Sequence, residues 1–336
     1  RRRRGRLASS RSFTHRSGPL RQFILKRVVS MVVTLWMLAT IVFLLVNVLP
    51  GDVGRKVLGP TANQVDVEAF NERLGTDRPL LAQYGTSLRR LVTFDFGESF
   101  QTGNPVMDLL LPALGRSAKL ALLAFIITIP MSIAAGIFAA RRQDRLADRV
   151  VVNAGLASSS LPEFVTASTL LAVFAVQLGW GRVNANVPDG TSIVGQLEFL
   201  LLPALALVVS YFGYLARMTR AGVITALHAD YTRTATLKGL TSGQVMRRHV
   251  LRNALAPTIT VISVQIGYLF GGIVGVEKVF NYPGLGTMML NAVGKKDIPV
   301  LQTAVLMVGV IYMVSTLIAD LLIALLNPRV RLGGGE

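Results

Sequence analysis

Six stretches of the chain are apolar almost throughout: Val28–Leu49, then roughly Ser117–Ala140, Val150–Leu178, Phe199–Ala216, Ala256–Val276 and Pro299–Leu326. Each is about long enough to cross a ~30 Å hydrocarbon core as a helix. A backbone in lipid must satisfy its own hydrogen bonds, so the pattern predicts helices. The third stretch is long and carries Pro162, which predicts a kink or an interfacial end. The polar positions fall into few blocks. Residues 1–27 read as a basic, disordered tail that runs into an interfacial segment, Leu20–Arg27. A signal peptide is the rival reading, but the first apolar run has 22 residues and no small-x-small cleavage site. Residues 50–116 form one long polar insertion with helical stretches near Val65–Leu74 and Leu80–Phe94, enough for a small cap. Residues 117–326 hold the five later spans, and residues 327–336 form a second tail.

A basic internal block, Ala229–Leu255, lies within the loop 217–255 between the fourth and fifth apolar runs. It holds Arg233, Lys238, Arg247, Arg248, Arg252 and His249 against the single acid Asp230. Its pattern predicts a helix over Tyr231–Lys238 capped by Asp230, a left-handed break at Gly239, and a second helix capped by Thr241 or Ser242 with Gln244 behind it.

Composition confirms the class. The chain is 51% hydrophobic with a mean hydropathy of +0.52, too apolar for an ordinary soluble protein. Its net charge of +17 does not imply nucleic acid, which would need a basic face on a soluble fold. Anionic lipid and cytoplasmic loops account for it better. With the N-terminus inside, the inner segments carry 23 Lys and Arg and the outer segments 12. That bias predicts six spans with both termini in the cytoplasm.

Candidate chemistry is sparse. There is no Cys, and the three His are widely spaced, so no metal site is expected. No phosphate-binding loop, nucleophile elbow or HExxH is present, so no catalytic or cofactor-binding residue is assigned. Two acids lie within apolar runs. Glu163 falls near the middle of the third, where an ionised carboxylate must face protein or water. Two roles fit it: lining a solute path, or fixing helix packing. Asp320, closer to the inner end of the sixth run, is expected to pair with a basic group such as Arg329 or one from a partner. Gly267, Gly271 and Gly275 recur every fourth residue, a row that admits a close neighbour, from this chain or a partner.

The charged block resembles the loop of the inner-membrane permease subunits of bacterial ABC importers, whose consensus is E-A-A-x3-G-x9-I-x-L-P. Here Arg233, Thr234 and Ala235 stand for E-A-A, Gly239 for G, and His249, Leu251 and Arg252 for I, L and P. The departures are similar to the dipeptide and oligopeptide variant, close to DYxRTAxxKGL…RHxLRNAL. Asp230, Tyr231, Arg233, Thr234, Ala235, Lys238, Gly239, Leu240, Arg248, His249 and Leu251–Leu255 all fit it. The resemblance continues in Leu49-Pro50-Gly51-Asp52, Phe96-Gly97-Glu98-Ser99, Glu277, Val279-Phe280, Tyr282–Gly286, Asp297–Val300 and Asn327-Pro328-Arg329, and so covers residues 21–331. The long first outer loop resembles the "B" permease of the peptide systems.

The resemblance implies an all-α membrane protein of the type I importer permease fold, with six transmembrane helices and a cytoplasmic coupling hairpin, in the bacterial inner membrane. It implies a second homologous permease, two ABC ATPase subunits that bind the ATP and Mg, and an extracytoplasmic peptide-binding protein. The hairpin residues Asp230, Tyr231, Arg233, Thr234, Ala235, Lys238, Gly239, Leu240, Arg248, His249, Leu251 and Arg252 are then expected to couple to an ATPase. The expected function is ATP-driven uptake of di- or oligopeptides, with nickel, glutathione or another small solute as the alternative. A membrane-embedded enzyme using Glu163 or Asp320, and a stand-alone channel or ion-coupled carrier, are rivals from other classes.

Overall fold

A computed structural model describes residues 18–48, 52–188 and 190–326; the tail over 1–17, the 49–51 part of the first motif and the 327–336 tail with Arg329 lie outside them. The described residues are helical with no strand beyond one isolated bridge, Glu98 to Pro105. Helix α1, Gly18–Val48, contains the first span and starts nine residues before Arg27, so the segment read as interfacial continues into it. Three short helices follow: α2 Val53–Leu58, α3 Gln64–Leu74 and α4 Leu80–Val92. The last two lie where the insertion's pattern placed them. Helix α5, Val106–Arg141, begins eleven residues before the apolar run, because a helix does not stop at the polar residues Arg116 and Lys119.

The third apolar run is two helices. Helix α6, Leu146–Ser159, is followed after a bend of 100° by α7, Glu163–Leu170, which continues as a π-helix over Leu171–Gln177. The expected kink is at Pro162, and its physical cause is the missing N–H and the restriction that proline places on Leu161. Helix α8, Ile193–Leu227, leads to α9, Asp230–Leu237, and α10, Ser242–Val245. Then come α11, Leu251–Val279, α12, Leu285–Lys295, and α13, Ile298–Leu326. Among the described residues five helices are long and apolar enough to span, and the bent pair makes six if it counts as one.

Helices α5 and α8 have 36 and 35 residues. At 1.5 Å per residue they are over 50 Å long, far more than a bilayer needs, so both project beyond it. One projection carries the hairpin of α9 and α10. The other end carries the cap, where Val42, Val106, Val300 and Leu301 pack together. The main core joins α5, α7, α8 and α11 through Leu120, Ala124, Ala167, Leu207, Ile273 and Phe280. Helices α6 and α8 cross at Gly155 and Gly213, where the Cα of Gly213 lies 2.9 Å from the position a Gly155 Cβ would take; no larger residue fits.

Candidate functional site

The hairpin is built by local chemistry. Helix α9 starts after Ala229, which makes no side-chain cap; Asp230 is the first helical residue rather than the cap, and its carboxylate lies in the first turn, where it faces the positive end of the helix. Gly239 has φ +81°, the left-handed conformation expected of it, and nothing within 4 Å stands before the place of its missing side chain. Thr241 and Gln244 form a reciprocal capping box at the start of α10. No loop separates α10 from the fifth span. A π-helix over Met246–Val250 joins it to α11, so helix continues from Ser242 to Val279. The apolar span within that helix is Pro257–Val279, close to the expected Ala256–Val276.

The twelve hairpin residues named by resemblance divide into two sets. Asp230, Tyr231, Arg233, Thr234, Lys238, Gly239, Arg248 and Arg252 are exposed, and His249 is half-buried. Ala235 is buried among Val223, Ala226, Val245, Val250 and Ala254, and Leu240 and Leu251 pack against the same cluster. Ala235 is buried and Leu240 and Leu251 are half-buried, so these three hold the hairpin onto α8 and α11. Thr232 joins them by donating its hydroxyl to the Ala226 carbonyl at 2.6 Å. On the open side Leu237 is 80% exposed beside Arg233 and Lys238, an apolar contact point that the motif did not single out. Its signal was present: it stands two residues after the inward Ala235, on the opposite face of a short helix. Among the described residues no carboxylate pairs with Arg233, Lys238, Arg248 or Arg252.

The base of the hairpin is locked. The Arg220 guanidinium on α8 donates two bonds of 2.5 Å to the buried Asp148 at the start of α6. Asp148 also accepts from the backbone of Asp144, which has φ +65°. Asp320 on α13 pairs with Arg27 at 2.8 Å, so its partner is on the first helix.

Glu163 is the first residue of α7, half-buried at the bend. The Tyr211 hydroxyl lies 3.4 Å from its Oε1 and 3.1 Å from the Tyr268 carbonyl, with one proton to share between them. Tyr211 is midway along α8, so Glu163 packs against the middle of that helix. A Cβ on Gly272 would meet the Tyr211 hydroxyl at 2.6 Å and Glu163 at 2.9 Å, so this glycine, outside the expected row, admits the pair. The row itself serves two neighbours within the chain. Gly267 lies against the Tyr312 ring of α13 and Gly275 against Phe164 of α7. Gly271 meets nothing of this chain within 4 Å and is exposed.

The remaining motif residues meet at the cap. Glu277 is fully buried and accepts from the Ser117 hydroxyl and from the backbone N–H of Thr287 in the first turn of α12. Arg116 donates to the Pro283 carbonyl, and Tyr282 donates to the Arg116 carbonyl at 2.8 Å. Burial, helped by the Glu277 carboxylate, pushes the Tyr282 hydroxyl up to about 12, so it keeps that proton. The Asp297 carboxylate likewise accepts from the Ser99 hydroxyl and, at 3.1 Å, from the Phe100 N–H. Segments far apart in sequence are thus tied by two buried carboxylates.

The profile of binding-protein-dependent transport system inner membrane components matches residues 132–332, and its N-terminal counterpart matches residues 20–121. The chain belongs to that family. A Brucella abortus protein named as a peptide transport system permease is 38% identical over 92% of this chain and 98% of its own length. The glutathione transport system permease protein of Escherichia coli is 34% identical over 92% and 98%. A chain from a crystal structure of an amino acid ABC transporter with histidines superposes with a TM-score of 0.47 at 19% identity, covering 66% of this chain and 94% of that one. This permease is therefore a multi-pass inner-membrane subunit of an ABC importer, all-helical and not itself an enzyme.

Proposed function

We propose that this permease forms the solute path of a peptide importer with a second permease, and that its hairpin couples the path to one of two cytoplasmic ATPases, which bind the ATP and Mg. The observation that carries the reading is the hairpin itself. Its outer face combines Arg233, Lys238, Arg248 and Arg252 with the exposed Leu237, while its inner face is packed on α8 and α11. A cationic surface with one apolar contact suits a groove on a protein partner better than solvent alone. The Lys and Arg bias supports placing the hairpin and both termini in the cytoplasm. An extracytoplasmic binding protein would deliver solute at the cap end. Glu163, half-buried where the third span is broken, is the polar group best placed to meet solute. Among solutes, peptides are favoured by the 38% identity to a peptide permease, and glutathione is a second reading favoured by the 34% relative.

Co-purification tests this reading. A tagged chain extracted in mild detergent is expected to bring a second permease and two ATPases, identified by mass spectrometry. Recovery of the intact chain alone would leave the hairpin without a partner and overturn the coupling role. The binding protein encoded with those subunits, titrated with peptides and with glutathione, then separates the two solute readings.

A further inference from the structure

The cap contains a cavity of about 190 Å³ beneath α4, between that helix, the end of α3 and the outer ends of α1 and α13. Arg73, Arg78 and Arg90 line it against one acid, Asp95. Among the described residues none of the three arginines is in an ion pair. Gln302 of α13 also lines it and is 8% exposed. Its Oε1 accepts from Ser87 at 3.0 Å, but its Nε2 is buried with no acceptor among the described residues. A buried donor left unpaired is costly, and the three guanidinium groups, exposed at the cavity's rim with one carboxylate among them, leave net positive charge, so the cavity suits an oxyanion.

The depth of the cavity identifies the source of that oxyanion. Tyr84 of α4 hydrogen-bonds Thr40 of α1 at 2.7 Å, and its ring packs on Phe43 at 5.3 Å. Both partners lie inside the apolar window Arg27–Leu45 of the first span. At 1.5 Å per residue, Thr40 is about 7 Å inside the window's end. Helix α4 therefore lies at the edge of the hydrocarbon layer, the level of lipid phosphates. Its outward face is apolar there: Leu81 and Val92, three turns apart on one side, are 85% and 79% exposed, and Phe94 just beyond is 80% exposed.

We propose that the cavity under α4 is a headgroup site for an anionic phospholipid, with Arg73, Arg78 and Arg90 receiving phosphate oxygens while Leu81, Val92 and Phe94 rest in the same leaflet. Helix α4 then anchors the cap to the membrane surface.

The test uses the full chain in nanodiscs containing phosphatidylglycerol and phosphatidylethanolamine, extracted for native mass spectrometry. The wild type is expected to retain phosphatidylglycerol, and Arg78→Ala with Arg90→Ala to weaken its retention about thirtyfold, at roughly fivefold for each cation removed. Arg89→Ala, on the same helix but outside the cavity, should retain it. Retention unchanged in the double variant overturns the proposal. Displacement of the lipid by millimolar inorganic phosphate, or phosphate binding with no lipid retained, would reassign the site to a soluble oxyanion and also overturns it. Photocrosslinking guards against a variant that fails to fold: on the wild type, a phospholipid with a photoreactive headgroup should label peptides spanning residues 73–100. Labelling confined elsewhere refutes the assignment.

Discussion

At the scale of single residues, Gly239 and Glu163 separate two kinds of constraint. Gly239 is constrained by its backbone and not by its neighbours, since its φ is +81° and the space before it is open. Alanine there should cost about 1–2 kcal/mol through the left-handed conformation alone. Tryptophan carries the same strain and adds bulk where only a partner would meet it. Gly239→Trp should thus insert normally and lose uptake, while Gly239→Ala keeps most of it; equal uptake in both, measured with radiolabelled solute, would remove the hairpin's docking role. Glu163 is constrained by its neighbours, Tyr211 and the space left by Gly272. Glu163→Gln keeps the shape and removes the charge. A change in transport rate or in its pH profile is expected if the carboxylate lines the path, and an unchanged profile would leave it a packing role.

At the scale of elements, the pair Asp148–Arg220 holds the start of α6 to α8 just before the hairpin. Asp148 is buried, so removing its partner leaves an uncompensated charge, at a cost of about 3–5 kcal/mol. Arg220→Met should therefore lower the unfolding temperature of the detergent-solubilised protein more than Asp148→Asn with Arg220→Met together. The reverse order would show that the pair is dispensable. Much at this scale was legible in the sequence. Apolar length gave the spans, Pro162 the break, and Thr241 with Gln244 the cap. What was not legible depended on contacts across the chain. Nothing local distinguishes the inward Ala235, Leu240 and Leu251 from the outward Arg233 and Lys238 of the same motif until α8 and α11 are in place. The start of α5 was placed too late because Arg116 is polar for a distant reason: it serves Pro283. Asp320 found Arg27, nearly 300 positions away, and neighbouring sequence could not show that.

At the scale of the whole molecule, the proposed path and docking surface would draw their energy from partner ATPases. Reconstituted alone in liposomes, it should carry no solute against a gradient, and uptake should appear when the second permease, the ATPases, ATP and the binding protein are added. Solute accumulation by the chain alone would revive the stand-alone carrier. The continuous helix from Ser242 to Val279 would give such an assembly its gearing. Thirty-eight residues at 1.5 Å make a lever about 57 Å long. A tilt of about 10° applied at the hairpin would swing the far end, where Glu277 is clasped, by roughly 10 Å if the π-turn stays stiff. Movements of a few ångströms between two motor subunits would then be enough to open one side of a membrane and shut the other.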